Sequence, residues 1–220
     1  MTHTIIQKPS HNSVPSSCTA TNWGKSALLA LALLLSSNFA SADDTPSYDD
    51  YFKHYSQLYF GETLDWRLFK AQGMVESRLR KNAKSHRGAR GIMQIMPATY
   101  REIQKKNHFY KTRELSSVDT NIGAGIFFDA YLYDRWNREV SAQDRIKLML
   151  ASYNGGYVRV LRAFNKAGKP ENDWQAVAKY LPKETRNYVD RVLHLLNAEK
   201  APKAQPSKSD QTRILASSED

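Results

Sequence analysis

The chain has 220 residues, 41% of them hydrophobic and 25% charged, which suits one compact domain with accessory segments and excludes a low-complexity polymer. Its single cysteine, Cys18, excludes an intrachain disulfide and any metal centre built from several cysteines. The net charge of +10 indicates either an ordinary solvated basic surface or a polyanionic partner, for which nucleic acid, anionic lipid and an acidic cell-wall polymer are the alternatives.

Residues 1–42 have the pattern of a secretory signal peptide. They contain no acidic residue, carry Lys8 and Lys25, and continue into an apolar run over residues 27–35 and an A-x-A site that ends at Ala42. This order predicts cleavage after Ala42 and export to the periplasm, while the long segment before Lys25 leaves an uncleaved inner-membrane anchor as the alternative. Loss of both lysines lowers the net charge from +10 to +8. Export argues against nucleic acid and favours an acidic envelope polymer as the partner.

The rest of the chain divides into a folded domain with a short segment on each side. Residues 43–48 are predicted to be a disordered lead, and residues 49–198 are predicted to form the folded domain, with a polar and basic loop after Ser77. Residues 199–220 contain two prolines and equal numbers of basic and acidic residues, and we predict a disordered tail there.

Apolar residues recur at three- and four-residue spacing, and no segment alternates with period two, so the prediction is a mainly α domain. Asp49 is expected to open the first helix, Gly61 to end it, and Thr63 to cap the second. Ser141 and Asp144 are expected to form a capping box. The remaining expected helices cover residues 98–106 behind Pro97, 119–136, 141–153, 157–166, 173–181 and 184–198.

Glu76 is the first candidate for a catalytic group. It follows Val75 at the border of the apolar stripe of the second helix, near the C-terminal end of that helix. A carboxyl group partly removed from water has a raised pKa, and a raised pKa suits a general acid near neutral pH. By position alone a solvated glutamate at a helix end is the more common case, so the assignment depends on the surrounding segments.

Four segments accompany Glu76 in a fixed order. They are QGMVES at residues 72–77, GARGIMQIMPAT at 88–99, ASYNGG at 151–156 and ETRNYV at 184–189. Together they resemble the signatures E-S, G-L-M-Q-x-M-P-x-T, A-Y-N-x-G and E-T-x-x-Y-V of the lytic transglycosylases of the soluble SLT type. The resemblance covers roughly residues 49–197, and the stretch over residues 65–68 looks most like the catalytic module of the membrane-bound F type.

The resemblance implies a lysozyme-like single domain, of the goose-type lysozyme and SLT kind, with a deep glycan cleft. It implies that Glu76 is the sole catalytic acid/base and that Ser77, within the same motif, supports the local end of the helix. The residues it assigns to substrate binding are Ser77, Ser85, Gln94, Met96, Tyr153, Asn154 and Glu184.

The resemblance also implies what the individual binding residues do. Ser85 matches the serine thought to bind the N-acetyl group of the muramoyl sugar, and Gln94 and Met96 match residues that line the cleft. Tyr153 and Asn154 match the motif that faces the catalytic glutamate. Glu184 matches a second acidic residue on the cleft wall, which is assigned to binding and not to proton transfer.

Three positions depart from the family pattern without removing a functional group. Ile92 replaces a leucine, Ser152 replaces an alanine or similar small residue, and Gly155 stands where alanine is common.

The implied activity is cleavage of the β-1,4 bond between N-acetylmuramic acid and N-acetylglucosamine in peptidoglycan, with formation of a 1,6-anhydromuramoyl end. A lysozyme-like muramidase that uses water and a non-catalytic peptidoglycan-binding component of an envelope machine are the alternatives. We expect a monomer that needs no cofactor and no metal, since the histidines show no metal-binding spacing. Protein partners in the envelope stay open.

Overall fold

The computed structural model describes residues 46–137 and 140–200, and the fold over these residues is mainly α. The predicted signal peptide, residues 43–45 of the predicted lead and residues 201–220 of the predicted tail lie outside the described residues. The helices are α1 Tyr48–Phe60, α2 Trp66–Ser77, α3 Pro97–Lys106, α4 Val118–Arg135, α5 Ala142–Gly155, α6 Tyr157–Lys166, α7 Trp174–Ala178 and α8 Lys183–Lys200. In the described ranges no helix is long and apolar enough to cross a membrane.

The first two helices begin where a side chain accepts a hydrogen bond from the first turn. Helix α1 begins at Tyr48, one residue before the expected start, because Ser47 and Asp50 form a reciprocal capping box. Helix α2 is capped by Asp65 and not by Thr63 as expected. The Asp65 carboxylate accepts from the backbone amide two residues further on at 2.9 Å, and an acidic cap also suits the positive end of the helix dipole.

The expected capping box of α5 is only half formed. The Ser141 hydroxyl accepts from the Asp144 amide at 3.2 Å, as predicted. The Asp144 carboxylate accepts instead from the Trp174 amide at 3.0 Å and from Lys147 at 2.9 Å. Asp144 therefore joins the start of α5 to the start of α7. Helix α7 is shorter than expected and ends at Ala178, whereas α8 runs past residue 198 to Lys200.

Helix α4 is the central helix of the domain and packs against α1 and α5, while α2 packs against α8. Two glycines allow neighbouring segments to approach the α4 backbone closely. A Cβ atom on Gly123 would lie 2.6 Å from the ring of Tyr55 in α1, and one on Gly125 would lie 2.7 Å from the side chain of Met93. The loop that contains Met93 therefore rests directly on α4.

Candidate active site

A loop without regular secondary structure connects α2 to α3 over residues 78–96, and α4 orders it. The side chain of Asn121, which is buried, accepts from the Met93 amide at 2.8 Å and donates to the Arg90 carbonyl oxygen at 3.0 Å. Gly91 lies against the same side chain with φ of 75°, and a Cβ atom there would come within 2.3 Å of the Asn121 amide. Only glycine fits this position.

Glu76 lies in the last turn of α2 and is half-buried. Its Oε1 atom accepts a hydrogen bond of 2.7 Å from the hydroxyl of Tyr188 in α8. Burial raises the pKa of Glu76 to about 7, although the Tyr188 hydrogen bond and the positive charge of Arg191 both act to lower it. A carboxyl group that titrates near neutral pH can both donate and accept a proton, which is the requirement for acid/base catalysis.

Four hydrogen bonds join the four motif segments into a closed ring, which we call the motif ring. They run from Ser77 Oγ to the Ile92 carbonyl oxygen at 2.8 Å, from the Tyr153 hydroxyl to the Met93 carbonyl oxygen at 2.8 Å, from Thr185 Oγ1 to Asn154 Oδ1 at 3.0 Å, and from the Tyr188 hydroxyl to Glu76 at 2.7 Å. Segments that are distant in sequence thus meet around one carboxyl group. The ring contains Glu76, Ser77, Tyr153 and Asn154 of the candidate site residues.

Ser77 and Tyr153 have structural roles in the motif ring, because both connect the loop to a helix. Ser77 is 3% exposed, and its hydroxyl donates to the loop and accepts from the Arg80 amide at 3.1 Å, which stabilises the end of α2. The Tyr153 ring lies edge-on to Phe128 of α4, with 5.6 Å between ring centroids. The hydroxyl groups of both residues bond to backbone atoms of the loop and so position it against Glu76.

Ser85, Gln94 and Met96 lie in the loop but outside the motif ring. The Ser85 hydroxyl accepts from the Ala89 amide at 3.0 Å within a tight turn. The Gln94 side chain donates to the Gly91 carbonyl oxygen at 2.8 Å, and its backbone has a positive φ of 45°. Met96 is 37% exposed and lies at the N-cap of α3.

Glu184 is exposed and lies in the first turn of α8, one turn before Tyr188. It lines a cavity of about 440 Å³ together with Asn187, Asp190 and Arg191. A second cavity, of about 330 Å³, lies beside Tyr153. Each of these cavities is lined by a residue of the motif segments, and Glu76 itself lines neither of the two.

The sequence reasoning missed a buried polar pair beneath Glu76. Gln72 Nε2 donates to Asp129 Oδ1 at 3.3 Å, and both side chains are 0% exposed. Gln72 precedes Glu76 by four residues and so lies on the same face of α2. An acidic residue at a buried position of α4 was the available signal, because Ile122, Ile126 and Asp129 share one face of that helix.

No three histidine, cysteine or acidic side chains come together as possible metal ligands in residues 46–137 and 140–200. The chemistry that these residues offer is proton transfer at one carboxyl group of raised pKa, within a ring of hydrogen bonds.

Residues 57–176, more than half of the chain, match the family model of the transglycosylase SLT domain. The chain belongs to the transglycosylase SLT domain family. The resemblance found from the four motif segments is thereby confirmed.

Curated relatives of this SLT domain protein are membrane-bound lytic murein transglycosylases F. That of Marinobacter nauticus is 31% identical over 140 residues, which is 62% of this chain and 26% of the relative. That of Shewanella oneidensis is 35% identical over 125 residues, which is 54% of this chain and 24% of the relative. The chain therefore spans about a quarter of the length of these relatives.

Solved structures confirm the expected fold class. The 70-kDa soluble lytic transglycosylase of Escherichia coli matches with a TM-score of 0.57 and 29% identity over 68% of this chain and 23% of that chain. A complex of a 70-kDa soluble lytic transglycosylase with bulgecin A matches with a TM-score of 0.56 and 30% identity over the same shares. The mainly α SLT domain described here has the lysozyme-like fold of these enzymes.

Two of the departures from the family pattern have a structural reason. The hydroxyl of Ser152 is buried and accepts from the Trp136 indole nitrogen at 2.9 Å, so the extra oxygen has a partner. A Cβ atom on Gly155 would lie 2.9 Å from Thr185 Oγ1, the atom that donates to Asn154 in the motif ring. The glycine therefore allows this hydrogen bond to form.

Proposed function

We propose that the chain is a peptidoglycan lytic transglycosylase in which Glu76 is the sole acid/base. The observation that carries the proposal is the position of this carboxyl group in the motif ring, half-buried and with its pKa raised by burial to about 7. Near neutral pH both of its protonation states are populated, so one residue can serve as acid and then as base. The curated relatives named lytic murein transglycosylases support the substrate class.

The reaction begins with protonated Glu76, which donates its proton to the oxygen of the β-1,4 bond between N-acetylmuramic acid and N-acetylglucosamine. As the C1–O bond breaks, the carbonyl oxygen of the 2-acetamido group bonds to C1 and stabilises the positive charge. The Glu76 carboxylate then accepts the proton of the C6 hydroxyl, and the C6 oxygen displaces the acetamido oxygen at C1. The product is a 1,6-anhydromuramoyl end, Glu76 is protonated again, and no water is consumed.

The environments of the other carboxyl groups support a single catalytic acid. Glycosidases that use water or a covalent intermediate generally use two carboxyl groups on opposite sides of the scissile bond. Asp129 interacts electrostatically with Glu76 but is fully buried and cannot contact a sugar. Glu184 is exposed on α8, and we assign it to binding. We assign Ser85, Gln94, Met96, Tyr153 and Asn154 to the binding of the glycan strand or to the support of the surface that binds it.

Mass spectrometry of sacculi digested with the chain tests this function. We expect muropeptides with anhydro ends, which are lighter by one water than the products of a lysozyme-like hydrolase. Products that carry the additional water would favour the hydrolase. Binding of sacculi without any release would favour a non-catalytic peptidoglycan-binding component.

Glu76→Gln tests the role of the carboxyl group, because it keeps the shape of the side chain but cannot transfer the proton. We expect turnover to fall by at least about 10²–10⁴-fold, the usual contribution of positioned acid–base catalysis, while the variant still binds sacculi. Glu184→Gln is the matched control and should retain measurable turnover. Turnover near the parental value in Glu76→Gln would contradict the mechanism, and an inactive Glu184→Gln would show that the second carboxyl group takes part in the chemistry.

We also propose a periplasmic monomer, exported through residues 1–42 and acting on glycan strands rather than on nucleic acid. The apolar run over residues 27–35 and the A-x-A site ending at Ala42 support export. N-terminal sequencing of the protein from the periplasm should give Asp43 as the first residue, and an intact Met1 would indicate the membrane anchor. Light scattering of the purified chain tests the monomer.

A further inference from the structure

Gln72 and Asp129 form a polar pair in the interior, between α2 and α4. Both side chains are 0% exposed, and Gln72 Nε2 donates to Asp129 Oδ1 at 3.3 Å. The second oxygen of each side chain, Gln72 Oε1 and Asp129 Oδ2, is also buried and has no hydrogen-bond partner in the structure of the described residues. Two polar side chains that already face each other thus leave one acceptor atom each unsatisfied.

Ionisation of Asp129 would be energetically unfavourable in this environment. A carboxylate can only accept hydrogen bonds, so both orphaned oxygens would stay unpaired and a full charge would be buried with one amide as its partner. Buried polar groups in folded proteins are almost always paired, and buried carboxyl groups without a cation take up a proton. A single proton on Asp129 Oδ2 supplies the donor that Gln72 Oε1 lacks.

We infer that Asp129 is a neutral carboxylic acid at neutral pH, joined to Gln72 by two hydrogen bonds in a closed ring, and that this pair positions Glu76. One bond of the ring runs from Gln72 Nε2 to Asp129 Oδ1, and the other from the protonated Asp129 Oδ2 to Gln72 Oε1. Burial raises the pKa of Asp129 well above its usual range. The hydrogen bond from Gln72 acts to lower this pKa, and the negative charge of Glu76 acts to raise it. The pair therefore contributes two hydrogen bonds and no charge beneath the catalytic carboxyl.

Among residues 46–137 and 140–200, no cation contributes to the pKa shift of Asp129. The groups coupled to it are Glu76 in α2, Tyr153 in α5 and Tyr188 in α8, each of which is acidic or neutral. A negative charge on Glu76 disfavours a second negative charge on Asp129, so this neighbour favours the neutral acid.

Three tyrosines on the other helices that pack against α4 have hydrogen-bond partners away from Asp129. In α1, Tyr55 donates to Asp119, about 15 Å from Asp129 along the helix, and the Tyr59 hydroxyl pairs with another tyrosine. In α3, the Tyr100 hydroxyl donates to a backbone carbonyl oxygen at 2.7 Å.

The pair acts on the site through α2. Gln72 lies one helical turn before Glu76, and two hydrogen bonds to α4 restrict how α2 can rotate or shift against the loop and α8. Asp129 is thus a positioning residue for Glu76. This part of the inference rests on the proposed function, whereas the protonation of Asp129 does not.

The protonation is tested by the pH dependence of unfolding in a Glu76→Gln background, which removes the carboxyl group whose charge acts on Asp129. If native Asp129 is protonated and the unfolded chain is not, unfolding releases a proton. The unfolding equilibrium constant of Glu76→Gln is divided by that of the double variant, Glu76→Gln with Asp129→Asn. This ratio should then rise about tenfold per pH unit between pH 5 and pH 7. A ratio that does not change with pH would overturn the inference.

Infrared spectroscopy of the Glu76→Gln variant gives a second measurement that needs no unfolding and no second substitution. At pH 7 we expect the carbonyl band of a protonated carboxylic acid from Asp129. A spectrum that contains only carboxylate bands would overturn the inference.

The positioning role is tested by two substitutions of similar size. Asp129→Asn offers Gln72 one acceptor and one donor, so it should keep turnover within about threefold and leave the alkaline limb of the pH–rate profile in place. Asp129→Leu leaves both polar atoms of Gln72 unpaired and should lower kcat about tenfold with little change in KM, because α2 loses both hydrogen bonds that join it to α4. An alkaline limb shifted to lower pH in Asp129→Asn would show that Asp129 was charged, and parental kcat in Asp129→Leu would exclude the positioning role.

These results separate the two claims. Absence of anhydro product from the parent chain would remove the proposed function and, with it, the positioning role. The unfolding and infrared measurements would still decide whether Asp129 is protonated, since neither involves a substrate.

Discussion

The hydroxyl of Tyr188 donates a hydrogen bond of 2.7 Å to Oε1 of Glu76, and 112 residues separate the two in sequence. This bond favours the charged carboxylate, whereas burial favours the neutral acid. Burial is the larger of the two effects, so the pKa of Glu76 is raised to about 7 in spite of the hydrogen bond from Tyr188. Tyr188 therefore contributes to the pH at which the proposed acid loses its proton.

Replacement of Tyr188 by phenylalanine should move this pH upward. Tyr188→Phe removes a hydrogen bond that lowers the pKa of Glu76, so the pKa should rise further above 7. A hydrogen bond to a charged group is worth about 1.5–3 kcal/mol, which corresponds to a shift of about one to two pH units. The alkaline limb of the pH–rate profile of glycan cleavage should shift to higher pH by that amount.

Tyr55→Phe is the matched control. Tyr55 is also a buried tyrosine whose hydroxyl donates to a carboxylate, Asp119, at 2.7 Å, but this pair lies outside the motif ring. Its loss should lower stability and leave the pH–rate profile where it is. Equal profiles for the parent and Tyr188→Phe would contradict the assigned effect of the Tyr188 hydrogen bond.

The raised pKa of Glu76 also predicts how stability depends on pH. The carboxyl loses its proton near pH 4.5 in the unfolded chain and near pH 7 in the folded one, so stability falls as pH rises between these values. Glu76→Gln should match the parent in stability at pH 4 and exceed it by up to about 3 kcal/mol at pH 8. Urea unfolding at both pH values measures this, with Glu184→Gln as the control at an exposed position. A difference of the same size at pH 4 and pH 8 would contradict the shifted pKa.

Gln94 provides a test of backbone strain in the loop. Its φ of 45° is in the left-handed region, which costs a non-glycine residue roughly 1–2 kcal/mol. Gln94→Gly and Gln94→Ala both lose the side-chain hydrogen bond to the Gly91 carbonyl oxygen, so the difference between them isolates the backbone. We expect the glycine variant to be more stable than the alanine variant by about 1 kcal/mol in urea unfolding. Equal stabilities would show that the backbone relaxes in both.

Most helix boundaries could be predicted because local signals determine them. Pro97 is the first residue of α3 and Gly156 directly precedes α6, and the bounds of both helices agree with the prediction to within a residue. The predicted start of α2 was wrong because Thr63 and Asp65 are both acceptable caps, and it is the Asp65 carboxylate that accepts a hydrogen bond from the first turn.

The site was predictable only as far as the family resemblance extends. Glu76 could be singled out, but the donor from Tyr188 depends on how α2 packs against α8, and no local pattern encodes that contact. The place of Asp129 on the apolar face of α4 was a local signal, but its partner could not be predicted, because Gln72 lies 57 residues away in sequence.

The basic side chains of the loop predict a salt-dependent affinity for the anionic wall polymer. The exposed ones are Arg78, Arg80, Lys81, Lys84, Arg87 and Arg90. Replacement of Lys81, Lys84 and Arg87 together by glutamine should weaken binding to sacculi about tenfold at low salt, because each exposed charge contributes up to about 1 kcal/mol.

The difference in sacculus binding between the parent and the triple glutamine variant should disappear as salt rises, since the Debye length falls from about 10 Å at 0.1 M to about 3 Å at 1 M. The matched control replaces Arg159, Lys166 and Lys179, which are exposed on or next to α6 and α7. An equal loss of binding in the control would show that only total charge matters. Cosedimentation with purified sacculi measures both variants.

The three hydrogen bonds of Asn121 have a consequence for the entropy of binding. They join the side chain to the backbone at Met93, Arg90 and Leu115, so one buried residue of α4 restricts the conformations of the loop before any ligand arrives. A surface ordered in advance loses little conformational freedom when it is occupied. A long, repetitive polymer offers few contacts per sugar ring. Because the loop is already ordered, the free energy of those contacts contributes to affinity and does not have to offset the entropy lost in ordering the loop.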